Sequence, residues 1–151
     1  MTLLFPDHQP FATGAAAFRY RPVTTADPTN RLIVQVEIDG LETEAVVDTG
    51  GAFLICAPEL ASSLALDPTS AIEAPSINIR GERFTGDLYR LQLTLPADEG
   101  ADLEIEATAF VPTLEPNQIW PFPSFLGIHC CLERARFAVD PVGETFYFGP
   151  C

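Results

Sequence analysis

The chain has 151 residues, a length typical of one domain. With 47% hydrophobic and 19% charged residues, and with 10 Gly and 14 Pro, its composition excludes a disordered chain, a coiled coil and a collagen-like repeat. The 21 acidic and 8 basic residues, the latter all arginine, give a net charge of −13, which disfavours nucleic acid and anionic membrane surfaces as partners.

The sequence shows no targeting or membrane-spanning segment. No apolar run approaches the ~18 residues of a transmembrane helix, and Asp7 and His8 stand where a signal peptide would have basic and then apolar residues. We therefore expect a cytoplasmic protein with reduced thiols. The four cysteines are Cys56, Cys130, Cys131 and Cys151. Because His129 and these cysteines lack CxxC and HxxxH spacings, we expect no metal and no cofactor.

The first half of the chain is predicted to be mostly β. Residues 1–15 are expected to form an irregular arm, interrupted by Pro6 and Pro10. The predicted strands are 18–23, 31–39, 43–47 and 53–56. Segment 31–39 alternates apolar and polar residues, and Asp39-Gly40 after it is a strong signal for a hairpin turn. Pro58 is expected to open a short helix.

The second half continues the β pattern after Pro68. Segments 76–80 and 87–95 are predicted to form a hairpin, with Gly81 and Gly86 bracketing its tip. A strand at 102–111, a proline-rich loop at 112–123, a second short helix at 126–134 and a last hairpin of 137–140 with 145–148 are predicted to follow. Short strands with frequent turns favour a closed or sandwich-like β domain.

One tripeptide has a specific chemical interpretation, Asp48-Thr49-Gly50. It ends an apolar strand and is followed by Gly51 and a second apolar run. A carboxylate between apolar segments must be paired, shared or protonated, because an isolated buried charge is costly. Glycines allow a sharp turn whose N–H groups approach that carboxylate. The same tripeptide is also a good turn sequence, so a monomeric β protein with an ordinary turn here is one alternative.

The order of the motifs resembles a known family. The run 46–51 (Val-Val-Asp-Thr-Gly-Gly) lies between an Asp-Gly hairpin and a Pro-Glu-Leu helix. Further along come 123–127 (Pro-Ser-Phe-Leu-Gly), 132–134 (Leu-Glu-Arg) and 137–140 (Phe-Ala-Val-Asp). Over residues 16–149 the chain resembles the retropepsin-like, retroviral-type aspartic protease family, as a single-DTG member of bacterial type.

The resemblance implies an all-β, closed barrel-like fold with two short helices, a flap hairpin and a protease domain at 16–151. It implies an aspartic endopeptidase acting on a peptide or protein substrate, with Asp48 as the catalytic residue. The implied active-site loop is Thr49, Gly50 and Gly51. The implied flap is Arg80, Gly81, Glu82, Arg83, Phe84, Thr85 and Gly86, and the implied substrate pocket is Ile119, Trp120 and Phe122.

The chemistry implies a homodimer. Hydrolysis of this type uses two carboxylates that share one proton, and the ionised carboxylate activates a water molecule. The sequence has one Asp-Thr-Gly, so the second Asp48 must come from a copy of the chain related by a twofold axis.

Some positions depart from the family pattern. Gly51 stands where the family has Ala or Ser. Ile128 and His129 stand where it often has Arg followed by Asp or Asn, and that Arg's acidic partner is replaced by Ala52 or Phe53. A non-catalytic peptide-binding module on the same fold is therefore a second hypothesis.

Overall fold

The structure is a computed structural model that describes residues 3–151; Met1 and Thr2, the first residues of the expected arm, lie outside the described residues. It contains one α-helix, α1 (Pro58–Leu64), and two 3₁₀ turns, Pro68–Ser70 and Leu132–Arg134, within this range. The strands are β1 (Gly14–Ala17), β2 (Arg19–Arg21), β3 (Arg31–Ile38), β4 (Leu41–Val47), β5 (Leu54–Ile55), β6 (Ser76–Ile79), β7 (Glu82–Leu95), β8 (Glu99–Gly100), β9 (Leu103–Thr113), β10 (Ser124–Leu126), β11 (Ala135–Asp140) and β12 (Thr145–Pro150). The mostly β character predicted from the turn-rich sequence is confirmed.

The strands form two sheets. The smaller sheet has the order β11-β12-β1-β8, and the larger has the order β2-β3-β4-β10-β5-β9-β7-β6. An additional pairing joins β3 to β7, through Glu37 opposite Thr94 and Ile38 opposite Leu93. Hydrogen-bonded neighbours therefore lead from β3 through β4, β10, β5, β9 and β7 back to β3.

The β3–β4 hairpin shows why the alternating sequence forms strands. Its turn is Asp39-Gly40, with φ of 46° and 83°, the left-handed conformation that a tight two-residue hairpin requires. Val36 and Ile38 on one face of β3 are completely buried in the largest core cluster. Ile33 on the other face is buried in a second cluster. Core packing on both faces fixes the register that places Asp48 after β4.

Strand β1 begins at Gly14, inside the segment expected to be irregular. It pairs with β12 on one side and with β8 on the other. A Cβ at position 14 would lie 2.3 Å from the carbonyl oxygen of Ala101, so only glycine permits this close approach. The short, alanine-rich β1 is specified by its neighbours, which the local sequence does not reveal.

The prediction of two short helices is wrong in part. The helix after Pro58 is confirmed as α1, but the helix expected at 126–134 does not form. Instead β10 pairs in parallel with β4 and antiparallel with β5, and only Leu132–Arg134 is helical, as a 3₁₀ turn. Pairing on both edges and full burial of Leu126 favour a strand over the local helical pattern.

The hairpin of β6 and β7 is confirmed, but its tip is shorter than predicted. Arg80 and Gly81 alone form the turn, with φ of 51° and 84°. Gly86 does not border the tip; it lies within β7 opposite Pro112, where a Cβ would be 2.2 Å from the carbonyl oxygen of Val111. This glycine therefore lets β7 and β9 approach closely.

The four cysteines are free thiols. Burial raises the pKa of Cys56 and of Cys131 to about 12, so both are protonated at neutral pH. Within residues 3–151, no helix combines the length and the apolar character of a bilayer-spanning segment.

Candidate active site

Asp48 is the first residue after β4. Its backbone N–H donates to the carbonyl oxygen of Leu126 at 2.9 Å, which continues the parallel pairing of β4 with β10 by one residue. The side chain is half-buried. Its Oδ1 accepts from the N–H of Gly50 at 3.2 Å, and its carbonyl oxygen accepts from the N–H of Gly51 at 3.1 Å. The turn therefore fixes both the backbone and the carboxylate of Asp48.

The two glycines of this turn differ in how closely they approach the carboxylate. A Cβ at Gly51 would lie 2.8 Å from Oδ2 of Asp48, whereas one at Gly50 would lie 3.6 Å from Oδ1, an ordinary contact distance. Glycine at position 51, where the resembled family has Ala or Ser, thus leaves space for the carboxylate in the orientation observed here.

Residues 126–129 brace the segment that follows the turn. The N–H of Ile128 donates to the carbonyl oxygen of Gly51 at 2.9 Å, and the N–H of Phe53 donates to that of His129 at 3.1 Å. A Cβ at Gly127 would lie 2.3 Å from the carbonyl oxygen of Phe53, so glycine is needed for this contact. The Asp48 loop and the Phe-Leu-Gly segment at 125–127 are therefore packed together.

A cleft of about 570 Å³ lies beside Asp48. One side is formed by the ends of β3 and β4 and by the glycine turn, and another by the β6–β7 hairpin. The lining residues are Asn30, Arg31, Leu32, Val46, Val47, Asp48, Gly50, Gly51, Ala52, Ile55, Ile77, Asn78, Ile79, Arg80 and Phe125. The cleft thus joins a carboxylate, apolar side chains and two guanidinium groups.

Both guanidinium groups contact one carboxylate. Nη2 of Arg80 lies 2.6 Å from Oδ2 of Asp27, and Nη2 of Arg31 lies 3.1 Å from the same oxygen. Hydrogen bonds hold the pKa of Asp27 well below its ordinary value. The largest effect comes from Arg80, and others come from the backbone N–H of Thr29 and from Arg31. This triad connects the hairpin tip at Arg80 to the turn at residues 24–27.

Arg80 also lies over the ring of Phe122, 5.5 Å from its centroid. Phe122 belongs to an aromatic cluster in which Trp120 is 5.2 Å away and Phe84 is 6.2 Å away, between ring centroids. A cation above an aromatic face adds a second attachment for the hairpin tip.

The residues expected to line a substrate pocket occupy different environments. Trp120 is buried against Phe84, with ring centroids 5.0 Å apart, and within residues 3–151 its Nε1 has no hydrogen-bond partner. Ile119 is 75% exposed. Phe122 packs against Phe125, which lines the cleft, so the aromatic cluster lies behind that wall.

The residues expected in the flap and in the active-site loop also occupy different environments. Arg80 lines the cleft, Phe84 is completely buried, and Arg83 donates to the Ser76 hydroxyl. Glu82 accepts from the Gln118 side chain at 3.2 Å. Positions 81 and 85 are exposed parts of the hairpin, and Thr49 is exposed at the outer edge of the glycine turn.

The sequence motifs did not indicate Asp27 and Arg31. Both lie outside the recognisable runs, and an Asp beside a proline is an ordinary loop residue. Their i,i+4 spacing is the one local sign that they form an ion pair, and it does not indicate that this pair lies beside the cleft. The contact with Arg80 depends on tertiary structure alone.

No family model matches the sequence, and no curated protein does. Among solved structures, the chain is similar to the crystal structure of a retropepsin-like aspartic protease from Rickettsia conorii, with 17% sequence identity and a TM-score of 0.57. The match covers 88% of this chain and 97% of that chain. At this identity the likeness shows the fold: the chain adopts a retropepsin-like aspartic protease fold.

Proposed function

We propose that the chain is an aspartic endopeptidase whose catalytic group is Asp48. The observation that carries the proposal is the Asp48 carboxylate, held by a glycine turn at the side of a cleft in a retropepsin-like fold. A peptide bound in this cleft would lie between the turn and the β6–β7 hairpin. We assign the protease domain to residues 16–151.

Catalysis requires a second copy of the chain. Two carboxylates about 3 Å apart cannot both ionise, so Asp48 and its symmetry mate would hold one proton between them. The ionised carboxylate takes a proton from a water molecule, which attacks the scissile carbonyl carbon. The protonated carboxylate donates to the carbonyl oxygen, and later proton transfer to the amide nitrogen releases the amine. Thr49, Gly50 and Gly51 position the carboxylate.

The hairpin residues 80–86 act as a flap in this proposal. Arg80 at the tip borders the cleft and is attached to Asp27, so the tip can cover a bound peptide and limit access of water. The connection of β3 back to β7 supports a closed, barrel-like sheet beneath it. Ile119, Trp120 and Phe122 stay assigned to the substrate-binding region, supported by the contacts of Phe122 with Arg80 and Phe125.

The direct test is hydrolysis of an unfolded protein by wild type and by Asp48→Asn. We expect wild type to cleave at about pH 4–6, to be inhibited by a statine-type peptide, and to lose cleavage on Asp48→Asn. Glu104→Gln, an exposed carboxylate on β9, is the matched control and should cleave normally. Undiminished cleavage by Asp48→Asn would overturn the proposal.

A peptide-binding module without catalysis is the second candidate. Ile128 and His129 favour it, because the resemblance leads one to expect an arginine here that braces the 48–53 loop. Among residues 3–151, no arginine side chain hydrogen-bonds to that loop. This candidate predicts that wild type binds unfolded peptides in calorimetry yet produces no fragments from about pH 3 to pH 8. Fragments that depend on Asp48 exclude it.

A further inference from the structure

Three side chains with different metal-binding atoms meet outside the Asp48 cleft. Nδ1 of His129 lies 3.4 Å from Oε1 of Glu133, and Nε2 of His129 lies 3.5 Å from Sγ of Cys130. One donor atom from each of the three residues lies within 4.8 Å of the others. In a tetrahedral zinc site, bonds of about 2.0–2.3 Å place ligand atoms about 3.3–3.8 Å apart. Glu133 and Cys130 contact opposite nitrogens of the His129 ring, so the side chains must close by about 1 Å onto one ring nitrogen to share an ion.

The local backbone keeps these donors together. Cys130 has a φ of 53°, and its N–H donates to Oε1 of Glu133 at 2.6 Å. The N–H of Glu133, within the 3₁₀ turn Leu132–Arg134, donates to the carbonyl oxygen of Ile128 at 3.0 Å. On the other side, the His129 ring packs against Phe53, with centroids 5.3 Å apart. The cluster is therefore organised before any ion binds.

The charges around the cluster favour a divalent cation. A thiolate and a carboxylate together balance two positive charges, and the chain as a whole carries −13. Within residues 3–151, no arginine forms an ion pair with Glu133, whose carboxylate contacts the His129 ring. The adjacent guanidinium of Arg134 is directed away, to the carbonyl oxygen of Glu106 at 2.6 Å.

Cys130 is the thiol suited to this role. The neighbouring Cys131 is completely buried in the largest core cluster. Cys130 is partly exposed beside His129. Cys151, the last residue, has its Sγ 3.8 Å from the carbonyl oxygen of Glu133, just outside the cluster.

We propose that His129, Cys130 and Glu133 form a binding site for a borderline divalent transition metal ion, of which Zn²⁺ and Co²⁺ are the representative cases. Imidazole nitrogen, thiolate sulfur and carboxylate oxygen are the donor types that tetrahedral zinc accepts. Three protein ligands leave a fourth position for water. The site is separate from Asp48 and does not depend on the proposed peptide hydrolysis.

The test is titration of the reduced full chain with Co²⁺, followed by its thiolate-to-cobalt absorption band and then by displacement with Zn²⁺. We expect one ion per chain. His129→Ala, Cys130→Ser and Glu133→Gln should each weaken binding about tenfold or more, and Cys130→Ser should also remove the band. Circular dichroism verifies that each variant is folded.

His8→Ala and Cys151→Ser are the matched controls, one imidazole and one thiol outside the cluster. Both should bind Co²⁺ as wild type does. Absence of the band in wild type, unchanged affinity in folded His129→Ala and Cys130→Ser, or loss of the band in Cys151→Ser would each overturn the assignment.

Discussion

Gly51 controls the space beside the Asp48 carboxylate. Gly51→Ala would place a Cβ 2.8 Å from Oδ2, so the carboxylate must leave the orientation observed here. We expect kcat/KM to fall about tenfold to a hundredfold, since small misplacement of reacting groups has effects of this size. Gly50→Ala, with its Cβ at 3.6 Å, should lose less. An equal loss in the two variants, measured by peptide hydrolysis, would contradict this explanation.

Asp27 makes the stability of the chain depend on pH. Its pKa in the folded state is held below the value of about 3.9 expected for the unfolded chain, chiefly by the bond from Arg80. The stabilisation is therefore complete above about pH 4 and is lost as the pH falls toward the folded-state pKa. Urea unfolding should show Asp27→Asn less stable than wild type at neutral pH, with the difference shrinking below about pH 4. Glu104→Gln, an exposed carboxylate on β9, should not reproduce this pH-dependent difference.

At the level of single residues, sequence reasoning found the groups that belong to a motif. Asp48 and its glycines follow a predicted strand and precede another, as the sequence indicates. Asp27 was not indicated, because its partner Arg80 is far away in the chain and meets it only through the fold. From the sequence, His129 and Cys130 were not expected to bind a metal because their spacing matches no common metal motif, and Glu133 was not considered. The left-handed conformation of Cys130 brings the three residues together.

The β6–β7 hairpin is attached to the rest of the chain at its tip, through Arg80, as well as along β7, which pairs with β9. Arg80→Gln would remove the charge that contacts Asp27 and Phe122 while keeping a side chain of similar length at a positive φ. We expect faster amide hydrogen exchange at Ile77 and Ile79, because the tip then opens more often. If the hairpin acts as a flap, KM should rise more than kcat falls.

Arg90→Gln is the matched control for this element. Arg90 lies on the same strand β7, is 67% exposed, and is 4.0 Å from its acidic neighbour Glu106. Exposed pairs of this kind contribute little. Exchange at the tip should be unchanged in Arg90→Gln, and equal acceleration in both variants would show that the Asp27 contact does not restrain the hairpin.

The elements that the sequence predicted well are those with a strong local pattern. β3 and β4 alternate apolar and polar residues around an Asp-Gly turn, and α1 starts at a proline. β10 could not be predicted in this way, because three residues carry too little periodicity and its strand character comes from β4 and β5 on either side. The tip of the hairpin was misplaced because Gly86 serves strand packing and not a turn.

At the scale of the whole molecule, the proposed enzyme exists only as a pair of chains. Asp48→Asn should therefore suppress wild-type activity when the two proteins are mixed and allowed to exchange, because mixed dimers contain one carboxylate. With random pairing and a ninefold excess of the variant, only about one wild-type chain in ten has a wild-type partner. The activity per wild-type chain should therefore fall to about one tenth of its value in the unmixed sample. Activity should also fall on dilution below the dimer dissociation constant.

This mixing experiment separates a shared site from a site within one chain. Glu104→Gln mixed in the same proportion supplies the control for simple dilution, since it keeps Asp48. Sedimentation of each sample reports the fraction of dimer directly. Wild-type activity that is unaffected by excess Asp48→Asn, in samples that sedimentation shows to be exchanging dimers, would contradict a dyad.

The insertion of β10 between β4 and β5 also determines when this site can exist during synthesis. The Asp48 loop is hydrogen-bonded to Leu126 and Ile128, which are translated well after Asp48. A nascent chain that lacks these residues has no support for the turn, even though its Asp-Thr-Gly has long been made. Translation at about 5–20 residues per second therefore imposes a delay of several seconds between the appearance of Asp48 and its placement. If Asp48 is catalytic, as proposed, the nascent chain stays inert toward neighbouring proteins until residues 126–128 have been made.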